Sequence, residues 1–107
     1  MTDDETALYY AVKIHSPDPD YLMNKKGLIH RLLERGVNVN TRGFLDRIPL
    51  HWVVVSIYRD LLFDLIELLV KEGSDVNIKD EFGSSSLDYA IELENNRIVE
   101  ILNNSNN

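Results

Sequence analysis

The side chains of this sequence that could support chemistry are its histidines and a short run of carboxylates. His15 and His30 have no second ligand at the spacing that a zinc site requires. Asp75, Asp80 and Glu81 are close in sequence, but carboxylates in a turn are most simply solvated turn residues. No nucleophile elbow, glycine-rich phosphate loop or aspartate-rich calcium loop is present. The sequence therefore predicts no catalytic residue, no metal and no cofactor.

The third histidine, His51, belongs to a stretch that the rest of the chain repeats. The stretch opens with Ile48-Pro49-Leu50-His51 and closes with Leu65-Ile66-x-x-Leu69-Val70-x-x-Gly73-Ser74-Asp75-Val76-Asn77. Proline is tolerated in a first helical turn because that turn needs no amide donor, and glycine after an apolar helix ends it in the left-handed conformation. The stretch is therefore predicted to hold a pair of short helices.

Copies of both halves occur at a constant offset. The closing motif recurs upstream with Gly36 in place of Gly73, 37 residues earlier. The opening recurs downstream with Leu87 in place of Leu50, again at a distance of 37 residues, and a third opening begins at Thr6. The position two residues after the leucine of each opening is aromatic, as Tyr10, Trp52 and Tyr89. Two agreeing offsets indicate a repeat protein.

The repeated stretch resembles the ankyrin repeat, which opens with Thr-Pro-Leu-His and closes with Ile-Val-x-x-Leu-Leu-x-x-Gly-Ala-Asp-Val-Asn. The resemblance covers nearly all of the chain. It implies an all-α fold, an ankyrin-repeat solenoid of three helix-turn-helix repeats with short β-like finger loops. We expect one elongated domain over residues 1–107, with repeats at about 2–40, 41–77 and 78–107. The resemblance also implies that His51 is structural and bonds backbone groups of the adjoining finger.

Hydrophobic spacing and turn residues predict where the helices lie. We expect helices over residues 6–14, from 21 or 22 to 35, over 49–57, from 60 or 61 to 72, from a serine-capped start at 84–86, and over 97–102. Pro17 and Pro19 exclude helix from residues 15–20. The acidic residues at 3–5 either complement the positive end of the first helix or serve a partner.

The first two repeats are longer than the family pattern. About 19 residues normally separate the opening leucine from the closing glycine, and this chain has roughly nine more in the first repeat and roughly four more in the second. Both insertions are expected at the turn between the two helices of a repeat, and so on the same edge of the stack. The second is centred on residues 56–62.

The finger between the first two repeats departs from the family pattern at its tip. Gly43 and Asp46 replace the usual aspartate and glycine, so we expect an irregular turn in which aspartate tolerates the left-handed conformation. Phe44 and Leu45 lie between them. Because exposed tips usually carry polar residues, this pair is either folded back onto the stack or offered to a partner.

Charge and composition limit the possible partners and compartments. Eighteen acidic and eleven basic residues give a formal net charge of −7, and the basic residues are dispersed. Binding to nucleic acids or to anionic membranes draws on basic patches, so neither is predicted, and the charge favours a basic partner. No apolar run is long enough for a membrane span, and the N-terminus lacks the features of a secretory signal. The absence of cysteine is consistent with a reducing, cytoplasmic location, in a host cell if the protein is viral or bacterial.

The resemblance implies a non-catalytic module that binds another protein through its finger tips and the exposed side of each first helix. Carried onto this sequence, that surface comprises Lys13, Ile14, Phe44, Leu45, Arg47, Val55, Ser56, Glu81, Phe82, Ser84, Glu92 and Leu93. We expect a monomer in the absence of the partner. The alternative hypothesis is a small acidic inhibitor or immunity-type protein that occludes a basic partner enzyme. An enzyme is not predicted, because no convergent set of polar residues can be named.

Overall fold

The computed structural model describes residues 1–104 of the chain. Within that range six α-helices form three consecutive pairs, and no β-strand is present. The helices are α1 (Asp3–Ala11), α2 (Pro19–Glu34), α3 (Pro49–Val55), α4 (Phe63–Lys71), α5 (Ser86–Glu92) and α6 (Asn96–Asn104). The members of each pair contact each other, and α3 contacts α5 while α4 contacts α6. This is the predicted all-α arrangement of repeated helix pairs.

The molecule is not elongated, and this part of the prediction was wrong. Its principal extents are 29 × 29 × 26 Å. Packed helices lie about 8–10 Å apart and each is about 10 Å across, so three layers of helices span only about 26–30 Å. A longer solenoid would need more repeats.

The first helix begins and ends three residues earlier than predicted. The hydroxyl of Thr2 accepts a hydrogen bond from the Glu5 N–H at 3.2 Å, and the Glu5 carboxylate accepts one from the Thr2 N–H at 2.8 Å. This reciprocal capping box starts α1 at Asp3. Glu5 therefore caps the helix itself, whereas Asp4 pairs with Arg35 at 3.0 Å.

The second helix begins at Pro19, inside the segment that was predicted to be loop throughout. Asp18 caps it, with its carboxylate accepting from the Asp20 N–H at 2.8 Å. Proline at the first helical position loses no hydrogen bond, so Pro19 can begin α2 although proline cannot continue a helix. Since α2 has 16 residues and α4 has nine, much of the first insertion extends this helix instead of lengthening the turn.

The second insertion forms a compact link between α3 and α4. The helix α3 ends at Val55, and a single 3₁₀ turn, Arg59–Leu61, precedes α4. The Nζ of Lys26 in α2 donates to the Leu61 carbonyl at 3.0 Å and pairs with Asp64 at 3.0 Å. The two insertions therefore meet on one edge of the stack, as predicted.

The third pair is the most regular. A serine among residues 84–86 was predicted to cap α5, and the cap is Ser85: its hydroxyl accepts from the Asp88 N–H at 3.0 Å, and its own N–H donates to the Asp88 carboxylate at 2.9 Å. In the turn before α6, Glu94 takes a φ of 55°, where glycine would be favoured. The predicted end of this repeat at residue 107 lies outside the described residues.

One hydrophobic cluster runs through all three pairs. Its fully buried members include Leu8, Ile29, Leu50, Leu65, Ile66, Leu69, Ile98 and Leu102. Gly36 and Gly73, which end α2 and α4, have φ of 79° and 103°, the left-handed conformation predicted for them. Beyond the first of these, Asn40 accepts from the Asp75 N–H at 2.9 Å and donates to the Gly73 carbonyl at 3.1 Å. The repeated closing motifs are thus bonded to each other.

Candidate protein-binding face

The fingers and the first helix of each pair form one face that exposes large apolar side chains. The first finger is residues 40–48 and the second finger is residues 77–85. Phe44 at the tip of the first finger is 65% exposed, and Phe82 at the tip of the second is 66% exposed. Tyr10 on α1 and Leu93 at the end of α5 are also exposed. Apolar groups gathered on one side of a small protein mark a surface that can bind another molecule.

Four aromatic rings from three elements meet on this face, and we call them the aromatic cluster: Tyr9, Tyr10, Phe44 and Trp52. The Tyr9 ring lies edge-on to Tyr10, with centroids 6.2 Å apart, and edge-on to Trp52 at 6.1 Å. Phe44 stacks on Trp52 at 6.4 Å with an interplanar angle of 16°. These geometries are the favourable ones for aromatic pairs. Phe44 is therefore folded against the stack, as the first alternative predicted, and the exposed remainder of its ring leaves contact with a partner as a proposal.

The first finger is held against α1 by Tyr9 and Gly43. The Tyr9 hydroxyl donates to the Phe44 carbonyl at 2.7 Å. Burial raises the pKa of the Tyr9 phenol, so this donor keeps its proton. A Cβ on Gly43 would lie 2.4 Å from Cε2 of the Tyr9 ring, which real side chains do not allow. Glycine at position 43 is thus needed for close approach.

Lys13, two residues beyond the end of α1, extends over the aromatic cluster. Its Nζ lies 4.7 Å from the Trp52 centroid, 4.8 Å from Tyr9, 5.1 Å from Tyr10 and 5.8 Å from Phe44. A cation within about 6 Å of an aromatic centroid is attracted by the ring quadrupole. Within residues 1–104, this ammonium has neither a carboxylate nor a hydrogen-bond partner.

A second cation, Arg47, connects the two fingers. Its Nε contacts the Asp80 carboxylate at 3.1 Å, and Asp80 also accepts from the Tyr89 hydroxyl at 2.6 Å. The Asp80 side chain is fully buried. Burial alone raises the pKa of Asp80, but hydrogen bonds from Tyr89, the Ser84 and Phe82 amides and Arg47 outweigh it, so that pKa lies below its usual value. The Arg47 guanidinium lies 4.8 Å from the Trp52 centroid, so it adjoins the aromatic cluster.

Each finger closes its turn with a backbone hydrogen bond at the same position of the repeat. The Gly43 N–H donates to the Arg47 carbonyl, and the Asp80 N–H donates to the Ser84 carbonyl, each at 2.9 Å. The two donors are 37 residues apart in sequence, and so are the two acceptors. Asp46, with a φ of 57°, stands where Gly83 has a φ of 79°, as predicted for an aspartate there. The turn is irregular as expected: Leu45 has a φ of 61°, uncommon for a residue with a branched side chain, and Gly43 lacks the carboxylate with which Asp80 accepts from the Phe82 and Ser84 amides.

His51 is fully buried and joins both fingers, as the resemblance implied. Its Nδ1 accepts from the Ile48 N–H at 3.1 Å, and its Nε2 lies 3.1 Å from the Ser84 carbonyl oxygen. Because a carbonyl can only accept, Nε2 carries the proton and the ring is neutral. Burial lowers the pKa of His51, which keeps it neutral. In residues 1–104 no group of three or more potential metal ligands occurs.

An open groove of about 240 Å³ adjoins the aromatic cluster where α1 and α3 end. Its lining includes Lys13, Ile14, His15, Trp52, Val55, Ser56 and Ile57. Trp52 is therefore shared between the aromatic cluster and the groove. The groove brings together four of the predicted partner-binding residues: Lys13 and Ile14, which follow α1, and Val55 and Ser56 at the end of α3.

The structure distributes the predicted partner-binding residues over three levels of exposure. Phe44, Glu81, Phe82, Glu92 and Leu93 are exposed. Lys13, Leu45, Arg47, Val55, Ser56 and Ser84 are partly buried. Ile14 is only 8% exposed, because its side chain belongs to the core cluster, so it offers a partner little area.

Four residues of this face were not predicted to belong to the partner-binding surface: Tyr9, Tyr10, Trp52 and Gly43. The recurring aromatic position of the repeat, which includes Tyr10 and Trp52, was the available signal. Nothing in a single sequence relates Gly43 to Tyr9, since the contact depends on how α1 packs against the finger.

Comparison with known proteins agrees with this architecture. The family model for the ankyrin repeat matches residues 46–81, which cover the second helix pair with parts of both fingers. A putative ankyrin repeat protein of Fowlpox virus, FPV233, is 40% identical over 55 residues, or 51% of this chain and 10% of that protein. The potassium channel GORK of Arabidopsis thaliana is 35% identical over 79 residues, or 74% of this chain and 9% of the channel. The chain thus spans about a tenth of the length of the curated relatives that it matches.

No helix within residues 1–104 is long and apolar enough to cross a membrane. The helices α3 and α5 start 37 residues apart, left-handed glycines at the same offset end α2 and α4, and a buried histidine bonds both fingers. Together with the matched family model and the viral relative, these features identify the chain as an ankyrin-repeat protein.

Proposed function

We propose that this protein is a non-catalytic module that binds another protein through the finger tips and the first helices. Ankyrin repeats are generally protein–protein interaction modules. The observation that carries the proposal is the pair of exposed phenylalanines, Phe44 and Phe82, at equivalent regions of adjacent fingers. Large rigid aromatic side chains are the usual anchors of protein interfaces.

The surroundings of these anchors support the same proposal. Phe44 rests on Trp52, and its carbonyl is fixed by the Tyr9 hydroxyl, so a partner would meet an ordered side chain. The side chain therefore loses less conformational freedom on binding, which favours affinity. Glu81, Glu92 and Leu93 add charge and aliphatic area at the rim, and the mixture is typical of interfaces.

The test begins with capture of the partner from the native source on immobilised protein and its identification by mass spectrometry. Affinity for that partner is then measured for Phe44→Ala and Phe82→Ala. An anchor loses at least about 2 kcal/mol on truncation, which corresponds to roughly 30-fold in affinity. Phe82→Ala should unfold at nearly the temperature of the parent protein because Phe82 is largely exposed, whereas Phe44→Ala also loses the stack on Trp52 and about 1 kcal/mol of stability, too little to unfold the protein.

Met23→Ala is the matched control. Met23 is 68% exposed, as exposed as the two phenylalanines, but it lies on α2, away from the fingers. Its variant should bind as the parent does. If all three variants bind equally well, or if binding falls only as thermal stability falls, the fingers are not the binding face.

A second candidate function is inhibition of a basic enzyme. The net charge of −7 favours it, as do Glu81 and Glu92, which are exposed and form no ion pair within residues 1–104. Carboxylates on a binding face attract a basic partner over long distances. Partner activity measured with and without this protein separates an inhibitor from an adaptor.

We also propose that residues 1–107 act as one domain that is monomeric without its partner. The hydrophobic cluster that runs through all three helix pairs supports one domain. Size-exclusion chromatography with light scattering should give a mass of about 12.3 kDa across micromolar concentrations. A dimer would contradict the proposal.

A further inference from the structure

We infer that the aromatic cluster is a cation-binding cage that Lys13 occupies in the free protein and that a Lys or Arg side chain of the partner occupies in the complex. This inference rests on the proposed function and names the chemistry of the partner. It assigns Lys13 the role of an internal stand-in for the partner's cation.

The position of Lys13 carries the first step. Four centroids lie within 5.8 Å of its Nζ, and the rings come from α1, the first finger and α3. Elsewhere in residues 1–104, Lys26 pairs with a carboxylate, whereas Lys25 lies 5.6 Å from the single ring of Tyr21. The surroundings of Lys13 therefore select for positive charge through ring faces alone.

The cage does not depend on Lys13 for its shape. The Phe44 carbonyl is held by the Tyr9 hydroxyl at 2.7 Å, and the Leu45 carbonyl accepts from the Glu81 N–H at 2.8 Å. Trp52 belongs to α3, and Tyr9 and Tyr10 belong to α1. Removing the lysine should leave the four rings in place, open to another cation.

Charge complementarity selects the occupant. A chain with a net charge of −7 attracts cationic partners, and Glu81 and Glu92 lie unpaired on the same face. Because Lys13 has no carboxylate to hold it, its displacement breaks no ion pair. A cation of the partner would replace the Lys13 ammonium over the rings, and Lys13 would move into solvent.

The experiment uses Trp52 as a reporter, because it is the only tryptophan in the sequence and forms one wall of the cage. The probe is tetramethylammonium chloride, whose weakly hydrated cation favours aromatic faces. Sodium chloride at equal concentration controls for ionic strength, and tert-butanol is a neutral probe of similar size. Tryptophan fluorescence is recorded during titration of the parent, Lys13→Gln and Lys25→Gln. Circular dichroism verifies that each variant is folded.

We expect saturable binding of tetramethylammonium to Lys13→Gln that is about 5- to 10-fold tighter than binding to the parent, since an occupied site reduces apparent affinity by the fraction that is open. Lys25→Gln makes the same change of charge beside one ring and should behave as the parent does. Adding Phe44→Ala to Lys13→Gln removes one wall and should weaken binding several-fold. Lys13→Met, which keeps the aliphatic stem, replaces Lys13→Gln if that variant does not fold.

The inference is overturned if Lys13→Gln and Lys25→Gln respond alike, or if sodium chloride or tert-butanol gives the same response. Once a partner is identified, Lys13→Gln should also bind it more tightly by a similar factor, and weaker binding would overturn the inference. Titration with the probe needs no partner, so a failed cage and a failed protein-binding function give separate results.

Discussion

The contact between Gly43 and Tyr9 gives a prediction that distinguishes two substitutions of the same type. Gly43→Ala places a methyl group 2.4 Å from Cε2 and 2.5 Å from Cζ of the Tyr9 ring, whereas carbon atoms normally stay about 3.5–4.0 Å apart. The ring or the finger must move by more than about 1 Å. Neither is free, because the Tyr9 hydroxyl bonds the Phe44 carbonyl and the ring packs edge-on against Trp52.

The magnitude follows from the contacts that this movement breaks. The hydrogen bond contributes about 1 kcal/mol, and the edge-on aromatic contact contributes about another 1 kcal/mol. We therefore expect Gly43→Ala to lower the free energy of unfolding by about 2 kcal/mol. For a domain near this size, that shifts the melting temperature by roughly 10 °C. The change is measured by urea denaturation and by thermal melting followed by circular dichroism.

Gly27→Ala is the control, and its predicted sign is opposite. Gly27 lies within α2, where an added Cβ would meet only Nη1 of Arg31, at an ordinary 3.6 Å. Alanine in place of glycine in a helix stabilises it by about 0.5–1 kcal/mol. The reasoning is refuted if Gly43→Ala melts at or above the temperature of the parent, or if both variants change stability by the same amount.

Four further predictions follow from the core, the fingers and the charge. Leu50→Ala should cost roughly 2–5 kcal/mol because Leu50 is fully buried, and it should leave the protein largely unfolded at room temperature; a variant that melts like the parent would contradict the repeat assignment. Because the pKa of His51 is lowered in the folded state, the unfolded chain takes up this proton first, so stability should be full above about pH 6.5 and fall below it. His51→Gln should lose that part of the pH dependence, which is checked by urea denaturation at several pH values from 8 to 5. If the free energy of unfolding changes with pH equally in both proteins, the assigned role of His51 is excluded. Asp80→Asn should cost about 3 kcal/mol in urea denaturation, because it leaves the partly buried Arg47 charge without its carboxylate; a cost below about 1 kcal/mol would mean that the pair is dispensable. If the protein is an inhibitor of a basic enzyme, its association rate should fall steeply between low and near-physiological salt, whereas an apolar adaptor interface should be nearly insensitive; a salt-independent rate without inhibition would eliminate the inhibitor.

The sequence alone was sufficient for the repeat architecture and its local signals. Glycine after an apolar helix, proline in a first turn and serine before a helix act within one turn of the chain, so their outcomes at Gly73, Pro49 and Ser85 could be predicted without knowledge of the packing. The role of His51 was carried by the resemblance. Where local signals compete, prediction was less accurate: Thr2 moved the start of α1, and Asp18 made Pro19 the start of a helix.

Only the tertiary structure decided which side chains meet on the binding face. An offset of 37 residues relates equivalent positions of successive repeats, but the contact of Tyr9 with Phe44 and that of Arg47 with Asp80 join non-equivalent positions that are 35 and 33 residues apart. Such contacts depend on the distance and rotation between neighbouring helix pairs, which side-chain volumes in the core set together. For the same reason the sequence predicted that Ile14 and Lys13 would share a surface, whereas packing buried the first and placed the second over four aromatic rings.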